Sequence, residues 1–185
     1  MSEFYIVSVG DIPQDWIETA HVCIGKIFGL REWRLMTIPV PDDALDRQRE
    51  QYSAPVILQA VLRSLPADRN RALAVTACDL FIPMLTFLFG QAQLGGRVAL
   101  VSGARLNPQF YGLPQSGTLV AERLRKEILH EVGHTLGLVH CLDKGCAMSL
   151  SNSVLQVDIK EDSYCGGCRS LVEERLALER LEGVI

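Results

Sequence analysis

Residues 130–140 read HEVGHTLGLVH, and the most reactive side chains of the sequence are gathered there. His130 and His134 are four residues apart. On an α-helix that spacing stacks them on one face, one turn above the other, where two imidazoles can share one Zn²⁺. Glu131 follows His130, angled toward a water on the metal rather than the metal itself. Gly137 lets the backbone leave the helix in a left-handed turn that a Cβ would resist, and that turn can swing His140 to the same ion. Three neutral imidazoles leave a fourth position open, the layout of a catalytic rather than a structural zinc. A metal so held acidifies water. Glu131 is then the general base that takes the proton as the water attacks a carbonyl, and that later passes it to the leaving group. The competing reading of Glu131 as a helix-surface charge fits poorly with its place between two ligands. The chain has four histidines, and three of them fall at these offsets. The fourth, His21, has no role beyond a surface or partly buried helix position.

The pattern H-E-x-x-H-x-x-G-x-x-H resembles the long zinc-binding consensus of the metzincin metallopeptidases, which is far more specific than H-E-x-x-H alone. The residues after it narrow the resemblance. Cys141, Cys146, Met148 and a Cys-x-x-Cys formed by Cys165 and Cys168 look like the archaemetzincins, over about residues 122–168. That family resemblance implies zinc-dependent peptide hydrolysis, aminopeptidase-like on short peptides, although no amine-binding carboxylate is evident in the sequence. It makes Met148 the base of a Met-turn that packs beneath the ligands without coordinating. It also implies a second zinc, bound by Cys141, Cys146, Cys165 and Cys168. Pairs spaced C-x₄-C and C-x₂-C close tetrahedrally on Zn²⁺, and four thiolates leave no position for water.

Three other readings compete for the cysteines. Disulfides are disfavoured in a reducing compartment. A redox pair at Cys165 and Cys168 lacks a surrounding thioredoxin pattern. Cys141 as a rival to His140 would orphan three cysteines. Cys23 and Cys78 fall on apolar periods and read as buried core thiols. Many metzincins carry a tyrosine shortly after the methionine. Here Ser149 and Leu150 follow, so transition-state charge falls to the zinc and to backbone donors. Asp158, Lys160 and Ser151-Asn152-Ser153 also resemble family positions, with no role evident beyond turn chemistry.

The elements that must position these residues follow from periodicity. Residues 4–9 read as a strand, and 15–28 as a helix stopped by Gly29. Residues 31–40 read as a second strand, 46–65 as a helix with Pro55 early in it, and 71–82 as a third, fully buried strand. This β-α-β-α-β order favours a parallel sheet with right-handed crossovers. Residues 86–94 and 97–102, joined through Gly95-Gly96, read as antiparallel neighbours. By the metzincin resemblance, 86–94 is an edge strand that pairs with peptide substrate; an ordinary sheet strand is the alternative. Residues 107–117 are loop, and Ser116 or Thr118 caps a helix over 119–136. Leu124, Ile128, Val132 and Leu136 form its buried row, with Glu122, Arg123, Arg125 and Lys126 mostly solvated. A last helix over 170–181 ends near Gly183. The expected fold is α/β, a metzincin-type mixed twisted sheet with an antiparallel edge strand, a backing helix and an active-site helix. It forms one domain, 1–185, split into an N-terminal subdomain, 1–137, and a zinc-braced C-terminal subdomain, 138–185.

Composition sets the remaining bounds. With 185 residues, 48% hydrophobic and 22% charged, the chain can bury a sizeable core. A net charge of −4 without a basic cluster speaks against nucleic acid, against a zinc-finger module built on the cysteines, and against an anionic membrane surface. Neither a signal peptide nor a pro-segment is read, and the apolar stretch over 72–90 is broken by Asp79 and Pro83. A cytoplasmic, monomeric peptidase with two zincs is therefore expected, its main rival being a zinc protein with weak or no activity.

Overall fold

The computed structural model describes residues 4–29, 32–66 and 71–181. Its centre is a five-stranded sheet built from the expected β-α-β-α-β order. β1 (Phe4–Val9) is buried along its whole length because it has a core on each side. Phe4 and Ile6 point to one core, and Tyr5, Val7 and Val9 to the other, as the two-residue repeat of a strand requires. α1 (Gln14–Phe28) buries Trp16, Ile17, Ala20, Ile24 and Phe28 against the first core and stops at Gly29, which is left-handed at φ 68°. β2 (Arg34–Ile38) is shorter than the expected 31–40; the expected start at residue 31 lies outside the described residues.

The helix expected over 46–65 forms only in its second half. A 3₁₀ turn (Asp42–Ala44) leads into β3 (Leu45–Asp46) and β4 (Gln51–Ser53), and α2 (Ala54–Ser64) begins just ahead of Pro55. The fixed φ and missing N–H of Pro55 suit a first helical turn, so the proline starts the helix instead of interrupting it. Before it, Asp46 Oδ1 accepts from the backbone N–H of Gln48 and of Arg49, at 2.9 and 3.0 Å, and folds the segment into a tight turn.

Two expected strands are each divided between two sheets. Residues 71–82 separate into β5 (Arg71–Thr76) and β6 (Leu80–Ile82). Residues 86–94 contain the end of β7 (Leu85–Leu88) and all of β8 (Gly90–Ala92), with the break at Phe89. β9 (Val98–Ser102) follows the turn at Gly95-Gly96. The main sheet has the order β2-β1-β5-β9-β8; β8 alone runs antiparallel, and the other neighbours are parallel. A smaller sheet, β3-β4-β6-β7, stands beside it. The two strand readings run across both breaks, although Asp79 and Gly90 stand next to them. What divides the first is side-chain chemistry at Thr76, whose hydroxyl donates to the Val9 carbonyl at 3.0 Å and accepts from the Cys78 N–H at 3.2 Å.

α3 (Gly117–Thr135) lies on the α1 face of the main sheet, capped by Ser116, whose hydroxyl accepts from the Leu119 N–H at 3.3 Å. Its row Leu124, Ile128, Val132 and Leu136 is buried. Arg123 corrects the reading of a solvated face. It is buried, with a bidentate pair to Asp158 at 2.7 and 2.8 Å and a bond to the Leu106 carbonyl at 2.9 Å. Asp158 belongs to α4 (Val154–Ile159), a short helix absent from the sequence reading. α5 (Gly166–Leu181) starts one turn earlier than expected, and its expected end near Gly183 lies outside the described residues. Cys23 is buried as expected, whereas Cys78 is only half-buried; His21 packs its ring on Trp33. Among the described residues, no helix is long and apolar enough to cross a membrane.

α5 is docked by a charge pair. Arg71, at the start of β5, bonds to Glu179, to the Gly96 carbonyl at 3.0 Å and to the Thr135 hydroxyl at 3.4 Å. Arg71 is 5% and Glu179 1% exposed. Removing one member of a buried pair strands the other, so Glu179→Ala is expected to lower stability by about 3–5 kcal/mol. Urea melts of the two proteins measure this, with bound metal unchanged.

Candidate functional site

The end of α3 brings the three histidines together. The Leu136 N–H bonds to the Val132 and Gly133 carbonyls, Gly137 turns left-handed at φ 89°, and the Leu138 N–H returns to the Gly133 carbonyl at 3.0 Å. That closure reverses the chain and carries His140 back over the helix. One ring nitrogen from each of His130, His134 and His140 lies within 4.8 Å of the others. The Nε2 atoms of His130 and His134 are 3.2 Å apart. Nitrogens bound about 2.0–2.1 Å from a tetrahedral zinc sit about 3.3 Å from each other, so the pair has the right span.

The opposite ring nitrogens fix the tautomers. His130 Nδ1 is 2.8 Å from the Ala147 carbonyl and His134 Nδ1 is 2.7 Å from the Leu138 carbonyl. A carbonyl only accepts, so each Nδ1 carries a proton and each Nε2 presents a lone pair. Burial, joined by the charge of Lys160, pushes His130 down to about 3; burial also lowers His134 and His140. The rings are therefore held neutral, the form that binds metal.

Glu131 is 5% exposed and opens on the same cleft, of about 550 Å³, as the histidines. Burial, and next the charge of Glu127, hold its carboxyl well above the usual carboxylate range, with Lys160 opposing. A carboxylate so placed is a strong proton acceptor. Its position depends on a residue that sequence reasoning missed. A Cβ at Gly90 would lie 2.6 Å from Glu131 Cγ and 2.6 Å from the Leu100 carbonyl. The only sequence signal was a glycine inside a strand pattern. Since a misplacement near 1 Å can cost about a hundredfold in rate, Gly90→Ala is expected to lower kcat roughly 10- to 100-fold. Steady-state kinetics checks this, with metal content retained.

β8 forms the cleft wall facing the histidines, beside Phe87 and Phe89; Leu150, Ser151 and Asn152 also line it. Of the expected substrate strand 86–94, only β8 is the antiparallel edge of the main sheet, because β7 pairs with β6 in the smaller one. Met148 is fully buried below α3; a Cβ at Gly133 would stand 2.3 Å from its Sδ.

After His140 in the chain, the Sγ atoms of Cys141, Cys146, Cys165 and Cys168 all lie within 4.8 Å of one another. Cys141 and Cys165 are 3.8 Å apart, against about 3.8 Å for two thiolates each about 2.3 Å from a tetrahedral zinc. A hydrogen bond from the Cys168 backbone N–H draws Cys165 down to about 7, while burial raises Cys146 and Cys168. The donor set thus fits a closed tetrathiolate centre. Asp158 and Lys160, without a role in the sequence reading, both bond to α3: Asp158 to Arg123, and Lys160 to Glu127 at 2.9 Å.

Comparison with known proteins agrees with this geometry. The family model described as peptidase family M54 matches residues 33–174. The archaemetzincin of Methanocaldococcus jannaschii is 40% identical over 170 residues, 92% of each chain. The crystal structure of archaemetzincin from Methanopyrus kandleri superposes with a TM-score of 0.84 at 35% identity, covering 95% of this chain and 96% of that one. That of Archaeoglobus fulgidus, complexed with malonate, gives 0.78 at 34% identity, covering 91% and 99%.

Proposed function

The chain belongs to peptidase family M54, the archaemetzincins, and from that membership we propose how it hydrolyses peptide bonds. His130, His134 and His140 hold one zinc, with Glu131 as general base. Cys141, Cys146, Cys165 and Cys168 hold a second that is structural. The observation that carries the reading is the convergence of three neutral imidazoles and one buried carboxylate on a single open cleft.

Bound there, zinc supplies Lewis acidity toward a water and toward the scissile carbonyl. Glu131 accepts the proton released as the water attacks. Glu131 then passes that proton to the leaving amine. The free edge of β8 pairs with the substrate backbone and aligns it past Glu131. Gly137 shapes the turn to His140, and Met148 supports the ligands from below. No tyrosine lines the cleft among the described residues, so transition-state charge is left to the metal and to backbone donors. The division at residues 137 and 138 separates the sheet and α3 from a segment braced by thiolates. Reduced thiols of this kind suit the cytoplasm, and we read the working unit as a monomer acting on small or unfolded peptides.

A peptide-library digest with and without chelator, paired with elemental analysis, tests the proposal. Cleavage should stop on chelation and return with zinc, and two zincs per chain should fall to one in His134→Ala. Metal-independent cleavage, or unchanged zinc content in that variant, would sink it.

A further inference from the structure

Two charged side chains next to the histidines neither ligate the metal nor carry a proton in the chemistry above. Lys160 caps the C-terminus of α4 and is 2% exposed; Glu127 lies one turn before Glu131 on the cleft wall and is 3% exposed. Lys160 Nζ donates to Glu127 Oε1 at 2.9 Å. It also lies 3.4 Å from His130 Nδ1. That second contact is no hydrogen bond, because Nδ1 already donates to the Ala147 carbonyl and both groups are donors. An ammonium is therefore set against the back of an imidazole whose other nitrogen faces His134 Nε2.

Left alone, that ammonium would oppose any cation held beyond the ring, and the low dielectric of a buried site enlarges the effect. The carboxylate of Glu127 cancels it. The reverse imbalance matters as much. Without Lys160, Glu127 is a bare carboxylate on the cleft wall, one turn from both His130 and Glu131. Its charge would strengthen the hold on a dication and compete for a hard metal's open position.

We propose that Glu127 and Lys160 form a charge-balanced positioning pair that sets how tightly the histidine site holds its metal. Glu127 raises that affinity and Lys160 restrains it, keeping the fourth position free for water and substrate. The inference rests on reading His130, His134 and His140 as a zinc site.

The pair makes predictions of opposite sign. Glu127→Gln keeps an acceptor for Lys160 and removes only the charge. Substitutions of groups that support metal ligands typically move metal affinity by roughly 10- to 100-fold, and Glu127→Gln should weaken zinc by that order. Lys160→Met should tighten zinc while lowering kcat, and the double variant should return close to the parent affinity. Competition of each zinc-loaded protein against a chelator reads this directly, without an activity assay. The histidine step is the one missing from His134→Ala, and the cysteine step, unmoved, reports a folded chain. If both single variants weaken zinc and the double variant is weakest, the pair is a core brace only and the inference is overturned. Should Lys160→Met not fold, unchanged affinity in Glu127→Gln alone overturns it. A zinc step that survives His134→Ala overturns the underlying site assignment instead.

Discussion

Glu131→Gln is expected to lower kcat/KM by roughly a hundred- to ten-thousand-fold, the usual contribution of a positioned general base. The loss should fall on kcat, with KM and zinc content close to the parent values. The substitution is nearly isosteric, and the fit of the side chain against Gly90 is kept. What changes is proton affinity, since an amide cannot take a proton from the attacking water at neutral pH. Glu131 is not one of the three clustered nitrogen donors, so the metal should stay. A fall in zinc content would instead make Glu131 a structural support. Full turnover in the variant would remove it from the mechanism. Burial makes the comparison clean, because the carboxyl faces the cleft and little bulk solvent reaches it to stand in as base.

This residue was legible in the sequence because its neighbours are local. HEVGHTLGLVH lies within one helix end and one turn, so helical geometry and the left-handed freedom of Gly137 sufficed to foresee the cluster. The Ser116 cap and the buried row from Leu124 to Leu136 were legible for the same reason. Features fixed by distant partners were not. The burial of Arg123 is decided by Asp158, thirty-five positions away, and by the Leu106 carbonyl. The run over 71–82 is mostly apolar, and composition does not reveal that its two halves pair with different neighbours. Pro55 was seen, yet its meaning depended on whether the preceding residues were helical or folded around Asp46. Gly90 and Lys160 were hidden for a further reason. The first matters through an atom it lacks, and the second through a contact with the far side of a ligand.

The cysteine cluster supports the last expectation. Cys146→Ser should remove one zinc per chain, lower thermal stability, and expose residues 141–168 to proteolysis. Cys146 is 1% exposed within the thiol group, so the hydroxyl has no solvent to turn to. Apart from α4 and the start of α5, the segment is irregular, tied by single backbone bonds such as Ala147 N–H to the Ser163 carbonyl at 2.9 Å and Glu161 N–H to the Gly145 carbonyl at 2.8 Å. Structural zinc in small metal-folded units binds with about 10–16 kcal/mol of apparent free energy at neutral pH, well above the roughly 2–5 kcal/mol of a large core truncation. The effect should reach the other site. Ala147, whose carbonyl holds the His130 ring, and Met148, packed under Gly133, both lie in the segment that the clustered cysteines span. Cys146→Ser should therefore weaken the histidine zinc as well, whereas His134→Ala should leave the cysteine zinc and the melting temperature nearly unchanged. That one-way dependence separates a brace from two independent metal sites. Elemental analysis and thermal melts of the two variants decide it, and a Cys146→Ser protein that keeps both zincs and its melting point would rule out the structural role.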